Sequence, residues 1–354
     1  MIPSSSSLSV ASPVLSPIDR PERPAEQPQL VHSLEHGSTI LALIVSEHHG
    51  CIFAGTQDGE IVAWSLATFQ QVHKVQAHKR SVLSLFLSPD ASLLFSSAGD
   101  PIISVWFPKT LHRIYEIYSP HDVGDIFCTA YSAQHDTLYI GAQNATIQWV
   151  ALNDPSVKAP PGSQKHPDRR NHRFFDSKAV GGSSTPRRND DRWALIPKAL
   201  NVLEVNEEAS RNFAHHGYVY CMLMAKGPTV EVNADDDVLI SGGGDGTIKL
   251  WNLKPTTGEG AVETQDHIEE IMTLGQDDAE SVLSLAIDGS FLYAGKLDGV
   301  VELWDLDTAQ KLRVIRAHDR NIESLQMGWG CLWVAASDGW VSVSVSMSQE
   351  FELR

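Results

Sequence analysis

A seven-residue segment of the form Asp-Gly-x-Ile/Val-x-x-Trp recurs along this 354-residue chain and restricts its fold more than any other feature. The clear copies are Asp58–Trp64, Asp100–Trp106, Asp245–Trp251 and Asp298–Trp304, and the weaker copies are Asn144–Val150 and Asp338–Ser344. Most successive copies stand about 40–45 residues apart, which is the length of a repeat that contains four short strands. Two longer spacings, before Trp251 and before Trp304, indicate insertions.

The sequence around each copy predicts strands rather than helices. Runs with apolar residues at every second position, such as Ser81–Leu87 and Ser281–Ile287, precede the copies, and strand-like runs such as Lys311–Arg316 follow them. Alternation with a period of two is typical of β-strands. Four short strands per repeat predict an all-β fold in which each repeat forms one blade of a β-propeller. Six blades can be traced, beginning near Thr39, Ser81, Asp125, Tyr218, Ser281 and Asn321.

The two ends of the chain bear on the number of blades. Gln29–Ser38 resembles the last strand of a blade with its closing His36, and Phe351–Arg354 resembles a shortened fourth strand of the sixth blade. A strand that precedes the first blade commonly completes the last one, which removes exposed sheet edges. We therefore expect a seventh blade that is missing or incomplete in this chain. The alternative is a six-bladed ring that Gln29–Leu34 closes directly.

Polar residues recur at fixed positions of the repeats and are interpreted as structural. They are His78, Ser96, Asp100 and Trp106 in the second blade, His216, Ser241, Asp245 and Trp251 in the fourth, and Asp298 and Trp304 in the fifth. Such a set satisfies its own hydrogen bonds when buried, and it resembles the buried hydrogen-bond chain of WD repeats. A catalytic Ser/His/Asp site is disfavoured, because one active site would not recur in several blades. We predict no catalytic residue, no cofactor and no metal ligand.

Composition divides the chain into segments with different expected behaviour. Residues 1–28 are rich in Ser and Pro and are expected to form a disordered tail, and residues 29–354 form the propeller. Residues 153–197 interrupt the third blade with a segment richer in Lys and Arg than in Asp and Glu, for which we expect a disordered loop. The alternative is that Phe174 and Phe175 make this loop a docking element, because aromatic residues often anchor interfaces.

Charge and cysteine content narrow the class of partner. The chain has 27 basic and 44 acidic residues, a formal charge of −17, which disfavours nucleic acid because binding to phosphates depends on Lys and Arg. No apolar run is long enough to span a bilayer, so no membrane contact is expected. The scattered cysteines, Cys51, Cys128, Cys221 and Cys331, indicate reduced, buried thiols in a cytoplasmic protein.

Several stretches beyond the repeat resemble one family. They are Asp122–Tyr131, Tyr139–Val150, His172–Ser177 and Phe213–Met222, and they are similar to landmarks of the N-terminal propeller of the fungal DUG-pathway peptidase subunit. In that family, a zinc-dependent di- and tripeptidase-type domain follows the propeller. The resemblance implies that the subunit works with a glutamine-amidotransferase-like partner in the cytosolic breakdown of glutathione. No such domain follows Arg354 in this sequence, so we transfer no catalytic residue or metal ligand and expect no enzyme activity.

These observations predict a non-catalytic scaffold that binds proteins. The first hypothesis is the propeller part of a cytosolic glutathione-degrading complex, with an amidotransferase-like subunit as partner. The alternative is a WD-repeat adaptor in signalling or ubiquitin-dependent turnover, which rests on fold alone. The loops that join the blades are the expected contact surface, because loops on a rigid scaffold often carry binding residues. The candidate partner-binding residues are Lys79, Arg80, His121, Asp122, Tyr218, Asp319, Arg320, Phe174 and Phe175.

Overall fold

The structure is a computed structural model and describes residues 34–152, 196, 199, 201–229, 232–254, 267–276, 279–328, 330–338 and 341–345. Contacts divide the chain into one unit of residues Met1–Glu35 and a second of residues His36–Arg354. Leu34 and Glu35 are the described residues of the first unit, and every described strand lies in the second. The described residues contain no α-helix, as the period-two pattern predicts.

The strands of the first three sheets follow the order expected for blades. Sheet 1 contains β1 (Ile40–Ser46), β2 (Cys51–Thr56), β3 (Glu60–Ser65) and β4 (Gln71–Gln76). Sheet 2 contains β5 (Val82–Leu87), β6 (Leu94–Ala98), β7 (Ile102–Phe107) and β8 (His112–Tyr118). Sheet 3 contains β9 (Ile126–Ser132), β10 (Thr137–Ala142) and β11 (Ile147–Ala151). The neighbouring strands named here pair antiparallel.

The chain between sheets 3 and 4 contributes to two sheets. Strand β12 (Asn201–Glu204) adds to the outer edge of sheet 2, where it pairs parallel with β8. Strand β13 (Ser210–Arg211) then completes sheet 3 by pairing antiparallel with β11. The repeat pattern did not predict β12, because its partner strand lies in the preceding blade and a short run carries no signal of that pairing.

The last three sheets repeat the arrangement. Sheet 4 contains β14 (Val219–Lys226), β15 (Asp237–Gly243), β16 (Ile248–Leu253) and β17 (Ile268–Leu274). Sheet 5 contains β18 (Val282–Asp288), β19 (Phe291–Lys296), β20 (Val300–Asp305) and β21 (Gln310–Arg316). Sheet 6 contains β22 (Ile322–Gly328), β23 (Cys331–Ala336) and β24 (Val341–Val345). All six predicted blades are therefore present, and each first strand begins one residue after the predicted position.

The core lies between the sheets, where the face of each sheet packs on the next. One cluster of buried apolar side chains joins sheets 1 and 2, and a larger one joins sheets 2, 3 and 4. Two further clusters join sheet 4 to sheet 5 and sheet 5 to sheet 6. The first strands of successive sheets lie side by side at each of these junctions. The repeated tryptophans Trp106 and Trp251 are among the largest fully buried side chains, and so is Trp149, which stands one residue before the tryptophan position of its repeat.

Sheets 6 and 1 do not share such a cluster within the described residues. In β1, Leu43 is 61% exposed and Val45 is 50% exposed, whereas no residue of the first strands β5 and β18 is classed as exposed. The segments on which the closure of the ring depends, Gln29–Ser33 and Phe351–Arg354, lie outside the described residues. The expected tail 1–28, the loop residues Phe174 and Phe175, and nearly all of 153–197 also lie outside them.

Candidate functional site: the loop face of the propeller

One surface gathers the loops of every sheet. The connection that leads into each first strand lies beside the turn between the second and third strands of the same sheet. In sheet 4, for example, the Gly244 amide donates to the Tyr218 carbonyl at 2.8 Å, and in sheet 3 the Gln143 amide donates to the Asp125 carbonyl at 2.9 Å. Equivalent bonds join Leu297 to Ser281 and Ser337 to Asn321. We call the surface formed by these connections and turns the loop face.

In sheet 2, a buried hydrogen-bond chain fixes the connection to the turn. His78 Nδ1 lies 2.9 Å from Asp100 Oδ1, and its Nε2 lies 2.8 Å from Ser96 Oγ. Trp106 Nε1 donates to the same Ser96 oxygen at 2.9 Å, and the Lys79 amide donates to Asp100 Oδ2 at 2.9 Å. The four side chains are those that the repeat pattern selects, and all are buried. Their polar groups satisfy one another, so the chain holds the loop in place.

Sheet 4 contains the same chain, but with a different histidine from the predicted one. His215, which is 0% exposed, places Nδ1 at 3.2 Å from Asp245 and Nε2 at 2.8 Å from Ser241, to which Trp251 donates at 2.9 Å. His216 is exposed and contributes its backbone amide to Asp245 at 2.7 Å. The prediction of His216 was wrong, because His216 takes the place that Lys79 holds in sheet 2. The side chain of His215 is buried, and that of the adjacent His216 is exposed.

Asp245 is the negatively charged member of the hydrogen-bond chain in sheet 4. Burial by itself would raise the pKa of its carboxyl group. Hydrogen bonds from His215 and from the backbone amides of His216 and Thr247 favour the ionised form instead, and they hold the pKa of Asp245 well below its usual range. The carboxylate is therefore a permanently charged acceptor that ties the connection to the turn, with its acceptor positions used inside the sheet.

In sheet 5, a buried lysine at the end of the second strand bonds to the connection. Lys296 is only 4% exposed, and its Nζ donates to the carbonyls of Gly246 and Glu280, each at 3.1 Å. The ammonium group also lies 3.6 Å from Glu302, and burial lowers the pKa of Lys296. Because Gly246 belongs to the turn of sheet 4, Lys296 joins two neighbouring sheets. Sequence reasoning missed this residue, since a lysine in a strand end usually indicates an exposed position.

The two residues predicted as structural in sheet 5 have separate roles. Trp304 is buried and its Nε1 donates to Glu302 Oε2 at 3.2 Å, while Lys311 Nζ lies 2.6 Å from Glu302 Oε1. Asp298 is exposed, and its carboxylate accepts the Val300 amide at 3.3 Å within the turn. Asp298 therefore shapes the turn, and it has no histidine partner among the described residues, in contrast to the aspartates of sheets 2 and 4.

The closing histidines of sheets 6 and 1 also contact acidic residues. His318 Nδ1 lies 3.0 Å from Asp338 Oδ2, and its Nε2 lies 3.0 Å from Ser342 Oγ. This serine is on the third strand of its sheet, whereas Ser96 and Ser241 are on the second strand. In sheet 1, His36 Nε2 lies 3.5 Å from Glu60. The histidine position is thus used repeatedly, but its partner differs between blades.

The structure places the described candidate partner-binding residues on one surface. Lys79, Arg80, His121, Asp122, Tyr218, Asp319 and Arg320 all lie in connections that lead into first strands, and so belong to the loop face. His121, Asp122, Asp319 and Arg320 are exposed, while the other three are half-buried. Phe174 and Phe175 lie outside the described residues. Seven predicted residues from distant repeats therefore share a face.

Three aromatic residues, Phe127, Tyr218 and Tyr220, contact one another on the loop face. The sequence analysis identified Tyr218 but missed the other two. The ring of Phe127 stacks on Tyr218 with centroids 5.8 Å apart and lies 5.2 Å from the ring of Tyr220. An added Cβ at Gly244 would lie 3.4 Å from the Tyr220 ring, so the group sits over the turn of sheet 4. Phe213, in the same connection as Tyr218, is 81% exposed and has a positive φ of 55°. The aromatic character of these positions is the only signal that the sequence offered.

Other chemistry is limited in the described part of the chain. There, no group of three or more His, Cys, Asp or Glu side chains is placed to hold a metal ion. Cys128 and Cys221 are buried and free, and burial raises the pKa of both thiols. Cys51 and Cys331 are half-buried, so the expectation that all four thiols are buried was too broad. Over the same described part of the chain, the structure has no helix that is long and apolar enough to cross a membrane.

A known family matches the two segments of the sequence that contain the complete hydrogen-bond chains. The family described as "WD domain, G-beta repeat" matches residues 69–106 and 208–252, which contain the complete chains of sheets 2 and 4. The chain carries WD40 repeats and folds as a six-bladed β-propeller. The matched segments are those in which histidine, serine, aspartate and tryptophan all occur. The blades with substituted partners fall outside the match, which is the result expected where the repeat has diverged.

The WD40 propeller is similar to parts of larger proteins. It is 28% identical over 333 residues to the "Probable di- and tripeptidase DUG2" of Saccharomyces cerevisiae, covering 84% of this chain and 37% of that protein. It is 22% identical over 336 residues to the human "Kinesin-like protein KIF21A", covering 89% of this chain and 19% of that protein. The chain therefore spans well under half the length of these relatives.

A solved structure shares the fold. The chain recorded as "Structure of U3-55K" superposes with a TM-score of 0.58 at 14% sequence identity, covering 89% of the WD40 propeller and 80% of that chain. At this level of identity the likeness shows the fold alone. It supports the assignment of the six sheets as blades.

Proposed function

We propose that this WD40 propeller is a non-catalytic protein-binding scaffold in a cytoplasmic glutathione-degrading complex. In this proposal, its loop face contacts a subunit resembling a glutamine amidotransferase, and hydrolysis takes place on another polypeptide segment or subunit. The observation that carries the proposal is the 28% identity to DUG2, which extends over 84% of the chain rather than over isolated repeats. The match to KIF21A covers a similar share of the chain but at a lower identity of 22%.

The arrangement of the loop face supports binding rather than catalysis. The histidines and aspartates of sheets 2 and 4 are buried, and their polar atoms are engaged inside the blades. A catalytic group must reach a substrate, which these side chains do not. Their geometry instead makes the connections rigid, and a rigid loop loses less conformational entropy when a partner binds. The exposed residues of those connections are thus suited to recognition.

Co-purification tests the proposed complex. We expect the tagged chain, isolated from the cytosol of its own cells, to retain an amidotransferase-like protein identified by mass spectrometry. Asp122→Lys on the loop face should reduce this recovery strongly, because charge reversal in an interface is costly. Glu269→Lys, at an exposed position of the outer strand β17, is the matched control and should leave recovery unchanged. Normal recovery with Asp122→Lys would argue against the loop face.

An activity assay tests the non-catalytic role. The purified chain, incubated with Cys-Gly or with glutathione in the presence and absence of Zn²⁺, should release no product. The co-purified complex should hydrolyse at least one of these substrates. Turnover by the pure chain that persists through repeated chromatography would contradict the proposal.

A WD40 adaptor outside glutathione metabolism is the second candidate. The observation that favours it is the 22% identity to KIF21A over 89% of the chain, because this shows how widely the propeller is shared. The adaptor hypothesis predicts that signalling proteins or ubiquitin-ligase subunits co-purify in place of the amidotransferase-like protein. The same mass-spectrometry experiment therefore separates the two.

A further inference from the structure

Every first strand in the propeller contains a one-residue bulge at the same repeat position. The pairing with the second strand skips one residue shortly after the strand begins, and the skipped residues are Leu41, Leu83, Phe127, Tyr220, Leu283 and Glu323. A bulged residue is left out of the ladder and its side chain is redirected, so bulges often serve to aim a residue. Because the first strands lie side by side, these residues form a group that we call the collar.

The collar is largely apolar and accessible. Leu41 is 45% exposed, and Leu83, Phe127, Tyr220 and Leu283 are half-buried. Phe127 and Tyr220 form its aromatic part at the loop face, with ring centroids 5.2 Å apart, and Phe127 also stacks on Tyr218 of the adjoining connection. Aromatic and aliphatic side chains that keep partial exposure in a rigid setting supply the anchoring contacts of protein interfaces.

The loop face around the collar is acidic. Exposed carboxylates stand in the turns and connections of sheets 1, 3, 5 and 6, and they are Asp58, Asp122, Glu280, Asp298, Asp319 and Asp338. Among the described basic residues of this face, Arg320 is exposed, Lys79 and Arg80 are half-buried, and Lys296 is buried. Carboxylates surrounding an apolar surface create a negative potential that attracts cationic partners.

We propose that the collar binds a basic segment of a partner protein that inserts an aromatic or aliphatic side chain among Phe127, Tyr218 and Tyr220. The Lys and Arg side chains of the segment pair with the surrounding carboxylates, and an arginine stacks on the exposed ring surface. Charge complementarity with the acidic rim selects a cationic segment over an acidic one. This inference rests on the proposed protein-binding function and names the surface and the chemistry of the partner.

A defined peptide tests this inference on the full chain. The probe is a short fluorescein-labelled peptide in which arginines alternate with phenylalanines, and its binding is followed by fluorescence anisotropy. We expect saturable binding that weakens as salt is added. A peptide with serine in place of phenylalanine should bind about tenfold more weakly, and one with glutamate in place of arginine should not bind.

Matched variants locate the binding site. Tyr220→Ser should weaken binding of the probe about tenfold, as expected for loss of an anchor contact. Phe291→Ser removes a half-buried aromatic residue from the start of β19, beside the β18–β19 turn and away from the loop face, and should leave binding unchanged. Asp319→Asn should weaken binding at low salt more than Glu269→Gln does. Thermal melting of each variant shows whether it is folded before binding is measured.

The results separate this inference from the proposed function. Equal binding of the probe by Tyr220→Ser and the unchanged chain would overturn the collar as the site, even if the amidotransferase-like subunit still co-purifies. Probe binding that appears only after residues 153–197 are deleted would show that the chain's own basic insertion holds the collar, and would overturn the assignment to a partner. Probe binding at the collar without co-purification of that subunit would support the collar and contradict the glutathione complex.

Discussion

At the scale of single residues, a shift of one position decides which histidine supports a blade. His215 is fully buried and its side chain bonds to both Asp245 and Ser241, whereas His216 is exposed and donates its backbone amide to Asp245. The unsatisfied partners left by removal of a buried hydrogen-bonding group cost more than the bond itself contributes. The two adjacent histidines should therefore differ widely in their effect on stability.

Substitution of each histidine with alanine tests this difference. His215→Ala should lower the free energy of unfolding by about 2–4 kcal/mol, because it leaves a cavity and removes one buried hydrogen-bond partner from each of Asp245 and Ser241. His216→Ala should change it by no more than about 0.5 kcal/mol, since its amide bond to Asp245 remains. Urea denaturation followed by tryptophan fluorescence measures both. Equal effects of the two substitutions would contradict the assignment of His215.

His267 shows how burial controls a charge within the core. Its Nε2 lies 2.7 Å from the Tyr139 hydroxyl, and its ring lies 5.0 Å from that of Trp149. The residue is 0% exposed, and burial lowers its pKa from 6.5 to about 4. The imidazole is therefore neutral in the folded protein at neutral pH, while the unfolded chain binds a proton near pH 6.5.

This shift predicts a loss of stability in mild acid. The pKa of His267 is lower in the folded protein than in the unfolded chain, so the unfolded chain binds the proton more tightly. The free energy of unfolding is therefore highest above pH 6.5, and it decreases as the pH falls towards 4, by roughly 3 kcal/mol in total. His267→Phe should flatten the pH dependence of the unfolding free energy in this window. His112→Phe, at the exposed start of β8, serves as the control and should keep the slope. An unchanged slope with His267→Phe would show that other groups cause the acid sensitivity.

At the scale of elements, glycines set the distance between neighbouring sheets. Gly55, Gly141, Gly242 and Gly295 occupy equivalent positions of second strands, and each faces the first residue of the first strand in the next sheet. An added Cβ at Gly242 would lie 2.6 Å from Val282 Cγ1, and one at Gly295 would lie 2.5 Å from Ile322 Cγ2. These separations are shorter than a real contact, so the sheets pack this closely only because glycine has no side chain.

Gly242→Ala tests this close packing. We expect it to lower the free energy of unfolding by about 1–3 kcal/mol through overpacking against Val282. Gly37→Ala, where an added Cβ meets nothing within 4 Å, should be nearly neutral. Combining Gly242→Ala with Val282→Ala should cost less than the sum of the two single changes, since the smaller side chain relieves part of the clash. Strict additivity in chemical denaturation would rule out the contact as the cause.

At the scale of the whole molecule, the chain presents an apolar sheet surface at β1. Leu43 and Val45 are 61% and 50% exposed, although β1 is a first strand like those that pack between sheets elsewhere. Within the described residues, no apolar cluster covers this strand from the side of sheet 6. An exposed apolar surface next to a sheet edge promotes association between molecules.

Self-association should therefore depend on β1. Leu43→Gln should shift the purified chain towards the monomer in sedimentation velocity at high protein concentration. Val314→Gln is the matched control, because Val314 is 60% exposed on the outer strand β21, and it should leave the distribution unchanged. A monomeric unchanged chain, or an equal response to both substitutions, would show that β1 does not drive association.

The repeat predicted most of the architecture, because the residues that form the strands and turns of a blade also provide the apolar faces that pack between blades. The Asp-Gly turns and the alternating runs placed six sheets and their first strands, and the second-blade set of His78, Ser96, Asp100 and Trp106 has the expected geometry. Sequence reasoning failed where a contact joins two repeats. The parallel pairing of β12 with β8 and the bonds of Lys296 to the preceding turn are such contacts.

On the loop face too, the sequence predicted local features but not the contacts between strands. The sequence placed Lys79, Asp122 and Tyr218 in connecting loops, but it did not indicate that bulged residues such as Phe127 and Tyr220 come together. A bulge arises from the register between two strands, which a single strand does not encode. The aromatic group of the collar is therefore a property of the paired sheets.

The amino-acid sequence by itself determined the blade as the folding unit, because period-two alternation, Asp-Gly turns and a recurrent tryptophan are local features. Tertiary structure decided which of two histidines is buried against Asp245, which lysine joins two neighbouring sheets and which side chains share the loop face. Those outcomes depend on the distances between sheets, and close packing fixes these distances only when neighbouring blades are in contact.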